Sequence, residues 1–416
     1  MLKSFFQFLK KNHLKSSLST EKVDEYNISD KVKMFKKIYT FNDAWSQWKA
    51  GSKFPIAFYG DSTIDGNNTT GYIANTLGKD SQSSNTFCKK LETNLRLATG
   101  NDKLRIYNAG FSGKDSAFGV ANINAEFGIG TDYSDVKMVG IGWGINDRLN
   151  YSDTKAYRDG FKANIISQIN WFYSRGIQPF LLTTQAIVSP SVDTQYVSQY
   201  PLRTAEAINS IANEVKRELS VEYSLELIDI NKFTERFLFY SPVDIATLIP
   251  DRLHFGDIGH QYEADLIFAN ISPQVIFVEA DTKIDYSTQK VINGAPEDKL
   301  TYSTVDQYGF KLYAKYPKFD GLDTKIMEAW VFINSKNEMS LKSYVSCYLN
   351  TYIKINGVAY KSKALETTLP TLSLGLYHLE AFSGSTNNAD NVDCVDFKGF
   401  HIKSKQTTCY EDELFV

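Results

Sequence analysis

Residues 41–274 are predicted to form a three-layer α/β unit on a five-stranded parallel sheet, and residues 275–416 an all-β sandwich. Three observations predict this. Short, nearly continuous apolar runs recur through the first region, spaced by segments of helical period. After about Gln274 alternating extended runs replace them. The 416 residues are 43% hydrophobic and 22% charged, enough apolar mass for two cores and too much for a disordered chain.

The first apolar run is Phe54 to Tyr59, which ends in Gly-Asp-Ser. Continuous apolar runs suit strands buried on both faces. Four more follow at Leu104–Tyr107, Val136–Ile141, Gln178–Leu182 and Leu225–Asp229. Helical segments fit between them. Asn85 to Leu97 places Phe87, Leu91 and Leu95 on one face. Tyr157 to Arg175 carries Phe161, Ile165, Ile169 and Phe172. Arg203 to Leu219 carries Ala207, Ile208, Ile211, Ala212, Val215 and Leu219, with charges assigned to the opposite face. A helix from Gly259 to Asn270 closes the unit. Strand, helix and strand in repetition imply a doubly wound parallel sheet.

In the C-terminal region Tyr308–Ala314 and Tyr352–Asn356 alternate, and Asn356-Gly357 is a hairpin turn signal. Met327–Ile333, Ser343–Leu349, Gly375–Phe382 and Phe397–Lys403 are further strands. With no long helical period, the region reads as an antiparallel sandwich. Residues 1–40 hold nine lysines against four acids and read as a basic, partly helical arm, either a frayed solvated terminus or a segment for attachment or oligomerisation. The run Phe5 to Leu9 is too short for a cleavable signal core, and no run reaches the roughly 20 residues a membrane-spanning helix needs.

Net charge is -3, which argues against a nucleic-acid binder. The four cysteines, Cys88, Cys347, Cys394 and Cys409, show no CxxC pair. They read as free thiols, with one bridge in the C-terminal third as the alternative. His13, His378 and His401 lack partners at metal spacing, so neither a metal nor another cofactor is assigned.

Chemistry in open α/β sheets collects at the C-terminal ends of strands. Gly60-Asp61-Ser62 follows the first strand, Asn108 to Gly113 the second, and Gly142 to Asp147 the third. Asp251-Arg252-Leu253-His254 follows the fifth. Ser62 is the candidate nucleophile, because a serine hydroxyl attacks once a base within hydrogen-bond reach takes its proton. His254 is the candidate base, since imidazole titrates near neutrality. Asp251, three residues earlier, can reach the other ring nitrogen and fix the tautomer. Taken singly, Ser62 reads as an N-cap, Gly110 and Gly113 as a tight connection, Asn146-Asp147 as a turn and His254 as a surface histidine. Four such coincidences in chain order are improbable together.

The ordered set resembles the SGNH hydrolases, also called the GDSL esterase family, over roughly residues 54–270. The blocks are Gly-Asp-Ser at 60–62, the turn ending at Gly113, Gly-x-Asn-Asp at 144–147 and Asp-x-x-His at 251–254. Thr63 stands where the family nickname has Leu. The resemblance implies a flavodoxin-like sheet, Ser62, His254 and Asp251 as catalytic groups, and an oxyanion hole from the Ser62 and Gly113 N–H groups and the Asn146 amide. It implies a carboxylic ester hydrolase working through an acyl-serine, without metal or cofactor. Asp61, Asp147 and His260 are read as structural.

The segments Thr63–Asp80 and Gln185–Tyr200 read as polar, the first as a mobile loop. They favour a small acyl group on a polar carrier, such as an O-acetylated surface polysaccharide. Eleven tyrosines and Trp330 in residues 275–416 fit a carbohydrate- or receptor-binding surface. Strand propensity accounts for those tyrosines equally well. The basic arm, hydrolase and terminal β-region resemble esterases of phage tails or appendages. That likeness implies a virion or host-surface location and a trimer, with the cytoplasm as the alternative. Two other functions stay open: a lipid esterase or thioesterase, and a non-catalytic receptor-binding module on a hydrolase fold.

Overall fold

A computed structural model of the chain describes residues 37–80, 83–151, 153–187, 205–240, 245–278 and 280–293, and, further on, 300–302, 310, 312–317, 324–334, 338–345, 351–361, 365–383 and 394–404. The basic arm before residue 37, the segment 188–204, and Cys347 and Cys409 lie outside the described residues.

The first region contains helices α1 (Phe41–Lys49), α2 (Ser62–Asp65), α3 (Phe87–Thr99), α4 (Ser116–Phe127), α5 (Thr154–Ser174), α6 (Ala205–Glu222), α7 (Ile230–Tyr240) and α8 (Asp257–Ile271). Its strands are β1 (Ile56–Gly60), β2 (Ile106–Gly110), β3 (Met138–Ile141), β4 (Gln178–Leu182) and β5 (Leu227–Ile228). They form one parallel sheet in the order β2-β1-β3-β4-β5. Because strand side chains alternate faces, Ile56 and Phe58 enter one core with Trp48, Phe87, Leu91 and Phe268. Ala57 and Tyr59 enter the other with Phe127, Tyr157, Phe161 and Val215. Each such side chain, fully buried, contributes roughly 1.5–3 kcal/mol relative to exposure. This is the three-layer α/β fold that the resemblance to the SGNH hydrolases implies.

Besides the one-turn α2, three longer helices escaped the sequence pattern. α4 reads SAFGVANINAEF, with no clean apolar stripe. Its Gly119 lies where a Cβ would come within 2.7 Å of the Trp143 ring, so a small residue lets the helix press against that indole. α1 is opened by Thr40 and Asp43 in reciprocal hydrogen bonds, a capping box at its N-terminus. α7 follows β5 almost directly, leaving no turn signal between them. In α6, Lys216 falls on the apolar stripe beside Ala212, Val215 and Leu219 and is fully buried, so the charges do not all lie on the opposite face.

The C-terminal region holds β6 (Val275–Val278), β7 (Thr282–Ile284), β8 (Ile292–Asn293), β9 (Leu300–Tyr302), β10 (Leu312–Pro317), β11 (Thr324–Ile333), β12 (Met339–Val345), β13 (Thr351–Ile355), β14 (Val358–Lys361), β15 (Leu365–Leu372), β16 (Gly375–Ser383) and β17 (Cys394–Ser404). They make two six-stranded sheets, β15-β12-β17-β10-β9 with β7 on β17, and β14-β13-β16-β11-β6 with β8 on β11. Ala329, Val331, Leu341, Ile353, Leu379, Phe400 and Ile402 fill the space between them. The expected hairpin turn joins β13 to β14, with φ of 48° at Asn356 and 81° at Gly357. The sandwich is not wholly antiparallel, because β6 runs parallel to β11. Strand β11 is apolar on both faces: its odd positions enter the sandwich, while Trp330 and Phe332 share the core of α8 with Phe268 and Tyr262.

Candidate active site

Strand β1 stops at Gly60 and the chain turns into α2. Asp61 caps that turn, accepting from the Thr63 N–H at 3.0 Å, and Gly66 ends it in the left-handed region at φ 84°. Ser62 therefore stands at the C-terminal edge of the sheet, 4% exposed. Its Oγ lies 2.8 Å from His254 Nε2. His254 Nδ1 lies 2.7 Å from Asp251 Oδ2. The other Asp251 oxygen accepts the N–H groups of Leu253 at 2.9 Å and His254 at 2.6 Å. Burial alone would raise the Asp251 carboxyl, but the bonds from His254 and the backbone hold it below its ordinary value. Arg252 takes φ of 68°, which folds the segment tightly enough for residues 251 and 254 to meet. Gln185 Nε2 donates to the Leu253 carbonyl at 2.6 Å and Asn68 Nδ2 to that of His254 at 3.5 Å, tying the loop down from both sides.

The sheet order sets the remaining groups around Ser62. Strands β2 and β3 flank β1, so the turn ending at Gly113 and the turn carrying Asn146 emerge on either side of the serine. Gly113 has φ of 72°, and a Cβ there would meet no atom within 4 Å. Backbone conformation, rather than crowding within the chain, thus accounts for glycine at this position. Asn146 donates through Nδ2 to the Lys114 carbonyl at 2.8 Å, which links the two turns directly.

Asp61 and Asp147 act as braces. Asp61 Oδ2 accepts the Gly144 and Ile145 N–H groups, each at 3.0 Å, fastening the β3 turn to β1. Asp147 accepts the Ser116 N–H at 3.1 Å and the Ser116 hydroxyl, anchoring the same turn to the start of α4. Burial pushes its carboxyl up to about 7 against those bonds. His260 is buried in α8, stacked on Phe87, with its Nδ1 3.3 Å from Glu263.

Sequence reasoning missed Lys216. Its Nζ lies 3.4 Å from Thr184 Oγ1, beneath Gly144, and burial pulls the ammonium down to about 8. A lysine at the i+4 position from Ala212 in an apolar stripe was the available signal. The segment 63–80 is not a loose loop. It starts as a helical turn, and Asn75 Nδ2 binds the carbonyls of Asn108 at 3.1 Å and Gly110 at 2.9 Å. Of the second rim segment, Gln185, Ala186 and Ile187 are buried rather than lining a polar surface.

His378 does acquire carboxylate neighbours, through strand register rather than sequence spacing. Glu328 and Glu380 face each other across β11 and β16, and His378 Nε2 lies 2.8 Å from Glu328 Oε1. Lys325 Nζ already sits between the carboxylates, at 2.9 Å from Glu328 and 2.7 Å from Glu380. One ammonium of the chain thus bridges both carboxylates. Cys88 is a free thiol and fully buried. No helix among the described residues is long and apolar enough to cross a membrane.

No family model and no curated protein matches the chain. Solved structures are similar to it at low identity. A lipase/acylhydrolase from Enterococcus faecalis is 22% identical over 52% of this chain and 94% of its own, with a TM-score of 0.38. An acetyl xylan esterase from Geobacillus stearothermophilus is 19% identical over 54% and 97%, at 0.42. A two-domain esterase active on acetylated mannans is 15% identical over 88% and 95%, at 0.40. The reading of the site below rests on this chain's own residues.

Proposed function

We propose that this chain is a serine ester hydrolase of the SGNH type that removes small acyl groups, acetyl foremost, from a polysaccharide or other glycan. The observation that carries the reading is the unbroken relay from Ser62 Oγ to His254 Nε2 and from His254 Nδ1 to Asp251, at 2.8 and 2.7 Å. His254 takes the Ser62 proton as Oγ bonds to the ester carbonyl carbon. The carbonyl π pair moves to oxygen, and the oxyanion lies among the Ser62 and Gly113 N–H groups and the Asn146 amide. The intermediate collapses, the carrier C–O bond breaks, and His254 returns the proton to the departing alcohol. Water then attacks the acyl-serine with His254 again as base, releasing the acid and restoring Ser62. Asp251 stays ionised and supports the imidazolium in both halves.

The acetyl preference rests on the rim. Residues 67–70 read Asn-Asn-Thr-Thr beside His254, and Asn68 is bonded to the His254 carbonyl. A polar rim suits a hydroxylated carrier better than a long acyl chain. Residues 41–274 would carry the chemistry and residues 275–416 the recognition of the carrier.

The test compares p-nitrophenyl acetate, butyrate and octanoate, and acetate release from acetylated polysaccharides, for wild type and Ser62→Ala. Acetyl turnover lost in the variant supports the reading. Octanoyl preference would replace deacetylation with lipid ester hydrolysis. No turnover of any ester by the wild type would overturn the enzyme reading.

A further inference from the structure

The one-turn helix that begins with Ser62 ends with Asp65, and this residue has no part in the relay. It is 1% exposed. Four donors converge on its carboxylate. Oδ2 accepts from Tyr72 Oη at 2.5 Å, Ser112 Oγ at 2.7 Å and Ser112 N–H at 3.0 Å. Oδ1 accepts from Asn75 N–H at 3.4 Å. The donors come from two segments on the same side of the nucleophile, residues 66–80 and the turn after β2.

The covalent geometry gives this arrangement a direction. The Gly113 N–H belongs to the planar peptide whose carbonyl is that of Ser112, so holding Ser112 at two atoms leaves ψ of Ser112 as the one rotation that swings that N–H, and the Lys114 N–H to Phe111 carbonyl bond at 3.2 Å limits that swing by closing the turn. Gly113 itself, at φ 72°, imposes no side-chain restraint on the turn. On the other end of α2, the Gly66 N–H donates to the Ser62 carbonyl at 3.1 Å. Gly110 packs so closely beneath α2 that a Cβ there would lie 2.2 Å from the Asp65 nitrogen. Nucleophile and turn are thus joined through one helical turn and one carboxylate.

We propose that Asp65 is a positioning residue that aims the Gly113 N–H at the oxyanion formed on Ser62. The inference rests on the esterase reading for its kinetic consequence, and on geometry alone for its structural one. A plain fold brace would lower stability without favouring the transition state over the substrate.

Asp65→Asn is the test. A carboxamide can keep its oxygen on Tyr72 and Ser112 only by turning its NH2 onto the Asn75 N–H, so either orientation loses the carboxylate charge and at least one of the four bonds. The expected result is a fall of roughly 10- to 100-fold in kcat, the scale of a small misplacement, with KM within about twofold of wild type. Affinity for a boronate transition-state analogue should fall by the same factor as kcat/KM. Tyr72→Phe removes one exposed-side donor, keeps the fold, and should lower kcat by about two- to fivefold. Unchanged kcat and boronate affinity in both variants would overturn the proposal. Hydrogen–deuterium exchange needs no substrate: residues 111–114 should exchange faster in Asp65→Asn than in wild type, and residues 144–147 should not. Equal exchange at 111–114 would refute the positioning role even if wild type proves not to be an esterase. Absent esterase activity with faster exchange would instead refute the catalytic reading and leave the clamp standing.

Discussion

Among the described residues, two imidazole–carboxylate pairs of nearly equal length stand in two settings, and a third, His260 with Glu263, is longer at 3.3 Å. His254 and Asp251 are 2.7 Å apart at the edge of the parallel sheet, and His378 and Glu328 are 2.8 Å apart on the face of β16 and β11. They differ in what the second ring nitrogen finds. For His254 it is the Ser62 hydroxyl at 2.8 Å. For His378 it is the Glu380 carboxylate at 3.8 Å, while the ring stacks on Trp330 at 4.1 Å and 7°. The first pair is open toward the Ser62 hydroxyl, the proposed nucleophile, and toward the proposed oxyanion donors. The second is closed by Lys325 and an indole. A histidine held by a carboxylate is thus a structural cross-link unless a hydroxyl completes it.

Removing groups from each pair would sharpen or break this contrast. The largest effect is expected at Ser62→Ala and His254→Ala, each lowering kcat by about 10⁴-fold or more, as serine relays act as a unit. His378→Ala should leave kcat within about twofold, measured on p-nitrophenyl acetate. A large loss there would break the distinction. Asp251→Asn should lower kcat by about 10³- to 10⁴-fold, because the wrong tautomer is then favoured. Glu328→Gln should leave it unchanged. Asn146→Ala should cost about 100- to 1000-fold with little change in KM, the signature of a lost oxyanion donor.

The smallest effect concerns stability and pH. Burial alone would raise Glu328, but bonds from His378 and Lys325 pull it down to about 2. Its contribution is complete above the unfolded value near 4.5 and is lost as pH falls toward 2. Glu328→Gln should therefore unfold about 1–2 kcal/mol more easily than wild type at pH 7 in a urea titration. The gap should narrow by pH 3.

The contrast also separates what the sequence made legible. Asp251 and His254 are three residues apart, so their meeting could be read from a single turn. Glu328 and His378 are fifty residues apart and meet only through the register of β11 and β16, which apolar patterning does not encode. The buried strands of the first region announced themselves as continuous apolar runs. Helix α4 did not, because Gly119 trades its stripe for contact with Trp143. The Ser62, Gly113, Asn146 and His254 positions were legible because strand ends can be located without side-chain detail. The clamp at Asp65 was not, since its donors lie on a segment whose Gly, Asn and Thr content reads as loop.

The sharing of Trp330 and Phe332 with helix α8 has a consequence during synthesis. Ile271 and Phe268 leave the ribosome well before β11, and at roughly 5–20 residues per second the interval lasts several seconds. Throughout it the back of helix α8 presents bare Phe and Ile to whatever hydrophobic surfaces surround it. Strand β6 waits over the same interval for its parallel partner β11. The newborn chain is thus exposed at its seam rather than at the sheet edge that carries Ser62, and at that seam a chaperone would find it and a premature stop codon would leave it adhesive.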